Sequence, residues 1–236
     1  MDFKEIFAYR LKTARKIAGL SMDELVNKLG KTVTKSAIGK YESGKMLPGS
    51  RHLSDIAKAL NVNIDFFFRR IDYKLSEIEF RKKSSLQKKI QKKIEGEALD
   101  YAERYLELEN ILNKKIIFKN PISDIEIKSH EDIEIVATDL RKKWNLGKGP
   151  ILNLLSLLEE KGFIIYVSDE SDNFDGMSAR LDGIPFIFIN KKKDNLRKRF
   201  TALHEVAHLI LKFPISNSNN QNEKICHEFA GTFLIP

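Results

Sequence analysis

The spacing of hydrophobic residues changes along this sequence, and that change most restricts what the chain can fold into. Over residues 3–70, apolar side chains recur at helical spacing in short stretches separated by turn signals. Three later segments are rich in β-branched and aromatic side chains, as strands are: residues 163–168, 177–181 and 184–190. Helical spacing returns at residues 195–212 and 221–234. The pattern predicts a multi-domain fold in which an all-α bundle and a helical linker precede an α+β domain with a small sheet.

Turn signals and composition give the expected domain boundaries. Residues 1–70 form the first predicted domain, residues 71–130 a charged helical linker, and residues 131–236 the second domain. The linker begins with basic runs and continues with an acidic half that carries an irregular apolar stripe. We expect one or two amphipathic helices that pack on a neighbour. Their charges should form a solvated helical face, with phosphate contacts by the basic half as the alternative.

The bulk composition favours a polyanionic partner and argues against a secreted or membrane protein. The formal net charge is +8, which suits nucleic acid, although a protein that merely carries many lysines is the alternative. Cys226 is the only cysteine, so no intramolecular disulfide can form, in agreement with a reducing compartment. The N-terminus lacks a secretory pattern, and no apolar run approaches the roughly 18 residues that span a bilayer. We therefore expect a cytoplasmic protein with no membrane partner.

Capping signals define the short helices of the first domain. Gly19 ends the first helix, and Ser21 begins the second as its N-cap, with Glu24 three residues on to complete a capping box. Gly30 ends that second helix, and Thr34 can cap a third. Short helices with this order of starts and stops can pack as a compact bundle.

Three segments of this bundle match a known DNA-binding family: Gly19-Leu20-Ser21-Met22-Asp23-Glu24-Leu25, Ala37-Ile38-Gly39-Lys40-Tyr41-Glu42-Ser43-Gly44-Lys45 and Ile56-Ala57-Lys58-Ala59-Leu60-Asn61-Val62. Over residues 6–68 the chain resembles the Cro/CI-type helix-turn-helix domains. The turn at residues 30–33 is two residues longer than the commonest family pattern. The resemblance implies a recognition helix in the major groove of a double-stranded DNA operator and, since such operators are often two-fold symmetric, a homodimer.

The exposed face of the third helix is expected to contact DNA. Lys35 and Ser36 can hydrogen-bond base edges, whereas Lys40 and Lys45 suit phosphates. The residues predicted at the interface are Thr34, Lys35, Ser36, Gly39, Lys40 and Lys45. A helical bundle that binds protein instead of DNA is the alternative.

A histidine pair in the second domain has the spacing of metal ligands. His204 and His208 lie four residues apart in a predicted helix, so both imidazoles fall on one face. Two nitrogens at that spacing can reach one zinc ion at about 2.0–2.1 Å. Glu205 can then remove a proton from a metal-bound water that attacks a carbonyl. Two histidines on an ordinary surface helix are the alternative, because a five-residue pattern also arises by chance.

A catalytic zinc site needs a third protein ligand, and the last predicted helix offers candidates. Glu223, His227 and Glu228 lie there, and the first two share a face at a spacing of four. Leu211 and Pro214 stand where the extended metzincin pattern has its glycine and distal histidine. A carboxylate is therefore the expected third ligand, and Zn²⁺ is the expected cofactor.

Four segments of the second domain match a known peptidase family: Phe174-Asp175-Gly176-Met177-Ser178, Ile184-Pro185-Phe186-Ile187-Phe188-Ile189-Asn190, residues 199–209 around the histidine pair, and residues 223–236. Over residues 135–236 the chain resembles the ImmA/IrrE family of zinc metallopeptidases. The resemblance implies that Glu223 is the third zinc ligand. His227 stands where the family often has Asn or Asp. It is therefore expected either to contact one of the zinc-binding side chains or to compete with them for the zinc ion. Many relatives continue past the position of Pro236, so the domain is either a fragment or lacks a further sensing region.

Three functions stay open from the sequence. Relatives of the second domain cleave a helix-turn-helix repressor, so the first is a DNA-binding regulator of phage or stress genes with a zinc peptidase that cuts itself or a partner repressor. The second is a regulator whose metal domain is sensory or structural. The third is an antitoxin that binds DNA and a toxin partner.

Overall fold

The structure is a computed structural model that describes residues 2–70, 78–80, 88–127, 130–169, 175–181 and 183–235 of the chain. It divides into two compact units. The first unit consists of residues 1–75 and 84–113, and the second of residues 76–83 and 114–236. Within the described ranges, no helix combines the length and the apolar character that a membrane crossing requires.

The first unit is helical throughout its described part. Its elements are α1 (Phe3–Ile17), α2 (Met22–Lys28), α3 (Lys35–Glu42), α4 (Ser50–Leu60), a 3-10 turn (Ile64–Phe68) and α5 (Lys88–Ile111). The predicted capping box of Ser21 and Glu24 is confirmed at the start of α2. The side chain of Thr34 caps α3 by accepting a hydrogen bond from the backbone N–H of Ala37 at 3.2 Å. Gly19 has a φ of 65°, the left-handed conformation that ends α1 at low cost for glycine.

Helix α5, in the stretch predicted as a helical linker that packs on a neighbour, packs on α1 inside the first unit. A Cβ added at Gly96 would lie 2.8 Å from the backbone nitrogen of Ile17, so the two helices are in close contact. Arg10, 1% exposed, donates to the carboxylate of Glu103, which also accepts a 2.7 Å hydrogen bond from the Tyr9 hydroxyl. Burial, with the adjacent carboxylate, raises the pKa of Tyr9. The expectation of a solvated acidic face is therefore wrong for Glu103, which is buried and paired.

The second unit is α+β. Its elements are β1 (Ile78–Phe80), α6 (His130–Lys143), α7 (Leu154–Glu160), β2 (Ile164–Ser168), β3 (Gly176–Leu181), β4 (Ile184–Asn190), α8 (Asn195–Ile210) and α9 (Asn219–Leu234). The strand order is β1-β3-β4-β2, with β4 parallel to β2 and antiparallel to β3. The predicted hairpin is confirmed, because Leu181 pairs with Ile184 across its turn. β1 is a correction to the sequence interpretation, since it is a strand inside the segment expected to be helical.

Helix α8 lies at the centre of the second unit. All residues from 201 to 210 are buried, and they pack against β3, β4 and α9. Apolar side chains from β4 and α9 share one buried cluster with those of α8: Ile187, Ile189, Phe229 and Phe233. Because α8 is enclosed on several sides, the side chains that it carries are held in fixed positions.

Candidate metal centre and DNA-binding surface

Helix α8 carries the histidine pair in its buried half. The helix begins at its N-cap Asp194, whose carboxylate accepts a hydrogen bond from the backbone N–H of Arg197 at 2.9 Å. His204 and His208 are 2% and 8% exposed, and their Nε2 atoms lie 3.2 Å apart. One helical turn therefore aims both imidazoles at a common point.

Glu223 on α9 completes a group of three donors. Its Oε2 lies 3.2 Å from Nε2 of His204, and its Oε1 lies 3.1 Å from Nε2 of His208. Across the described part of the chain, these three residues form the one cluster of His, Cys, Asp and Glu side chains with the geometry to hold a metal ion. The structure thus brings together the three side chains that the sequence analysis predicted as ligands.

The separations within this group match the requirement of a tetrahedral cation. With bonds of about 2.0–2.1 Å and tetrahedral angles, neighbouring ligand atoms lie about 3.3 Å apart. The three separations here are 3.1–3.2 Å. Two imidazoles and a carboxylate are also a donor set of catalytic zinc, which keeps a fourth position for water or substrate. The residues present therefore fit a zinc ion.

Arg141 on α6 holds the helix that carries Glu223. Its guanidinium donates to the carbonyl oxygen of Phe233 at 2.6 Å, near the end of α9. It also donates to the carbonyl oxygens of Gly147 at 2.9 Å and Gly149 at 2.5 Å. Burial lowers the pKa of Arg141, and the three carbonyl acceptors offset that cost by stabilising the cation. α9 is thereby fixed to the loop after α6.

Glu205 is held by the sheet. Its Oε2 accepts a 2.8 Å hydrogen bond from Oγ of Ser178, and the residue is 2% exposed. β3 can approach α8 this closely because its first residue is Gly176. A Cβ at that position would lie 2.4 Å from Cγ2 of Thr201 and 2.8 Å from the carbonyl oxygen of Phe188. A close backbone approach therefore sets the orientation of the candidate general base.

Ion pairs and hydrogen bonds attach β3 to both ends of α8. Arg197 donates to Oδ2 of Asp175 at 2.5 Å, and Nζ of Lys193 lies 3.1 Å from Oδ1. The hydrogen bonds from Arg197, with those from Lys193, hold the pKa of Asp175 below its usual range despite partial burial. At the other end of the strand, Arg180 donates to the carbonyl oxygen of Leu209. β3 therefore follows α8 along the length that bears the histidines.

Two further side chains contact the histidine pair. Sγ of the buried Cys226 lies 3.4 Å from Nδ1 of His208. The exposed His227 places its ring centroid 4.4 Å from that of His204 and stacks on Phe200. His227 lies outside the group of three donors, and both roles expected for it remain predictions.

The residues expected at DNA lie on α3 and just beyond it. Most of them are exposed: Thr34, Lys35, Ser36, Lys40 and Lys45, with Gly39 half-buried. Nζ of Lys35 forms an exposed ion pair with Asp23 at 2.7 Å. Gly30 and Lys31 both have positive φ, 64° and 59°, in the turn before α3. This pair of left-handed residues accommodates the longer turn noted in the sequence.

Arg15 anchors α3, the helix expected to recognise DNA, and was not identified from the sequence. Its Nε and Nη2 donate to the two carboxylate oxygens of Glu42, at the end of α3, at 2.5 and 2.8 Å. Its Nη1 donates to the carbonyl oxygen of Leu20 at 2.8 Å. The sequence analysis also missed the roles of Ser178 and Gly176. The family resemblance of the segment that contains both was the one signal that pointed to them.

Comparison with known protein families matches a segment of each half of the chain. The helix-turn-helix family matches residues 11–67, and the IrrE N-terminal-like domain, a peptidase family, matches residues 163–236. No curated protein and no solved structure gives a significant match. The chain is therefore a DNA-binding regulator in which a Cro/CI-type helix-turn-helix domain is fused to an ImmA/IrrE-type peptidase domain.

Proposed function

We propose that this regulator is cytoplasmic and that its second domain is an active zinc peptidase. The substrate is a helix-turn-helix repressor, either a partner or a copy of this chain, and its cleavage relieves repression. The observation that carries the proposal is the convergence of His204, His208 and Glu223 within hydrogen-bonding distance of one another. Glu205 lies on α8, the buried helix that carries the two histidines.

Three side chains would hold the ion: His204 and His208 through Nε2, and Glu223 through its carboxylate. The chemistry that zinc supplies at such a site is Lewis acidity, which lowers the pKa of the attacking water and stabilises negative charge on the peptide carbonyl. Cys226, at Nδ1 of His208, supports the proposal because a partner at the distal nitrogen keeps the ring oriented toward Glu223.

Glu205 is the proposed general base. Its carboxylate takes a proton from the attacking water and passes it to the nitrogen of the leaving amine, so that the peptide bond breaks into an acid and an amine. Ser178 donates to Oε2 of Glu205 and thereby limits the rotation of the carboxylate. Burial of His204, Glu205 and His208 lowers the local dielectric constant and strengthens each of these electrostatic contacts.

The helix-turn-helix domain would bring the peptidase to an operator. In this proposal Lys35 and Ser36 contact bases, and Lys40 and Lys45 contact phosphates. Lys35 exchanges its exposed ion pair with Asp23 for a base contact on binding. The exchange costs less than about 1 kcal/mol, since exposed ion pairs contribute little. A homodimer would match a two-fold symmetric operator.

A cleavage assay on the full-length chain tests the proposal. Zinc-loaded wild type is incubated with helix-turn-helix repressors from the same genome and with its own Glu205→Gln variant as a substrate in trans, and products are identified by mass spectrometry. We expect one substrate to be cut at a defined bond by the wild type and by the matched control Glu160→Gln, an exposed carboxylate on α7. As the enzyme, Glu205→Gln should cut nothing while binding DNA normally. No wild-type cleavage of any substrate contradicts the peptidase proposal.

One observation favours a second candidate, a regulator whose metal domain senses instead of cleaving. Glu205 is 2% exposed and hydrogen-bonded to Ser178, so it has little access to substrate in this conformation. For a sensor, zinc would change operator affinity in a mobility-shift assay, and Glu205→Gln would behave as the wild type in every assay. For a peptidase, the same variant loses cleavage.

A further inference from the structure

The outermost strand beside β3 comes from an unexpected part of the chain. β1 (Ile78–Phe80) belongs to the second unit, whereas the described chain before it, up to Arg70, and after it, from Lys88 to Asn113, belongs to the first. A three-residue strand is therefore inserted into the sheet of one unit between two segments of the other.

β1 pairs with the strand that orients the candidate general base. In the antiparallel register, Ile78 lies opposite Leu181 and Phe80 opposite Ala179. The next residue of β3 toward its start is Ser178, which donates to Glu205 at 2.8 Å. The edge of β3 that β1 occupies therefore lies next to the hydrogen bond between Ser178 and the buried carboxylate of Glu205.

This edge of β3 has the form of a binding site for extended peptide. β3 pairs with β4 from Gly176 to Leu181, and the described residues of β1 pair with its half from Ala179 to Leu181. A longer strand in the register of β1 would continue past Ser178 and Gly176, alongside Glu205. Extended peptides bind proteins by adding a strand to such an edge, with main-chain hydrogen bonds supplying affinity.

We propose that β1 is a built-in occupant of the substrate edge, so that the regulator restrains its own peptidase domain until an extended segment of the substrate displaces β1. The inference rests on the proposed peptidase function. β1 and a substrate compete for the same backbone groups of β3, and only one of them can pair at a time. The apparent affinity for substrate therefore equals the affinity of the open edge multiplied by the fraction of molecules whose edge is open.

A peptide-binding experiment on the full-length chain tests this competition. The probe is a fluorescein-labelled synthetic peptide with the sequence of residues 75–83, measured by fluorescence anisotropy in a Glu205→Gln background that prevents cleavage. Ile78→Pro/Glu79→Pro removes at least one ladder donor, since alternate residues of a strand point their N–H groups to the same neighbour. The matched control Ile78→Thr/Glu79→Thr keeps both donors and a strand-forming side chain. We expect the proline variant to bind the probe at least about tenfold more tightly than the control. This factor applies if the edge of β3 is open in less than about a tenth of the control molecules and in nearly all of the proline variant.

A disulfide lock provides the reverse test. Ile78→Cys/Leu181→Cys joins two residues that face each other across the antiparallel pair, at a Cα separation that a disulfide can bridge. Cys226 is buried and stays outside this bond. The oxidised protein should not bind the probe, and reduction with a phosphine should restore binding to the control level.

Equal probe binding by the proline and threonine variants, or by the oxidised and reduced lock, would overturn the inference. The binding test needs neither a natural substrate nor cleavage. Failure of the proposed function would instead show itself as missing zinc or missing hydrolysis, so the two failures are distinguishable.

Discussion

Gly176→Ala tests whether the close approach of β3 to α8 orients Glu205. An added Cβ would lie 2.4 Å from Cγ2 of Thr201, and carbon atoms in contact prefer about 3.5–4.0 Å, so roughly 1.1–1.6 Å must be gained. The carbonyl oxygen of Phe188, at 2.8 Å, is backbone of β4 and cannot yield without disturbing its pairing with β3. We expect β3 to move away from the helix and to stretch the hydrogen bond between Ser178 and Glu205.

The size of the effect follows from overpacking. Forcing an extra methyl group into a packed core costs about 1–3 kcal/mol. For a unit of this size that cost lowers the melting temperature by roughly 4–12 °C. A displacement of about 1 Å at a catalytic group reduces turnover by about a hundredfold. Zinc content should stay unchanged, because the proposed ligands His204, His208 and Glu223 lie on α8 and α9.

Differential scanning calorimetry, metal analysis and the repressor-cleavage assay check these outcomes. The matched control is Gly231→Ala on α9, where an added Cβ meets nothing within 4 Å. The control should melt up to a few degrees higher, since alanine is favoured over glycine in helices by about 1 kcal/mol. A Gly176→Ala protein that melts and cleaves like the wild type would refute the packing argument. Loss of stability with full cleavage would refute the role given to Ser178.

Three other substitutions probe separate contacts. Gly96→Ala should destabilise the first unit by about 1–2 kcal/mol in denaturant unfolding, because its Cβ would meet the backbone of Ile17 at 2.8 Å; unchanged stability would mean that α5 does not pack closely on α1. Cys226→Ala should weaken zinc binding by about tenfold in chelator competition, since it removes the partner at Nδ1 of His208; an unaltered zinc affinity would exclude that role. Lys45→Ala should weaken binding to all DNA sequences alike and reduce the salt dependence by about one phosphate contact; a change of sequence preference would instead indicate base contact.

The elements that the sequence predicted well are those with local signals. The capping box of Ser21 and Glu24 and the N-cap Thr34 depend on residues three positions apart, so their effect is visible in a short window. The spacing of His204 and His208 likewise fixes a common face as soon as a helix forms. Strands β2, β3 and β4 were visible because β-branched and aromatic residues cluster in them.

The features that escaped prediction depend on contacts between distant residues. Glu103 is paired with Arg10, 93 positions earlier. The charged composition of the stretch around Glu103 could not reveal that partner and suggested a solvated surface instead. Ser178 reaches Glu205 across 27 positions, and nothing in the local sequence links a serine in a strand to that carboxylate. β1 is three residues long, too short for an alternating pattern to stand out within a charged stretch. Such pairings arise only once tertiary packing brings the elements together.

Metal analysis of the purified full-length protein tests the central claim most directly. After dialysis against metal-free buffer, the wild type should retain about one zinc per chain by plasma mass spectrometry, as expected for a site with three protein ligands. Glu205→Gln, whose side chain is not a proposed ligand, should retain the same amount, whereas Glu223→Gln should lose the metal. A wild type without stoichiometric zinc, or a Glu223→Gln protein that keeps it as well as the wild type does, would contradict the account.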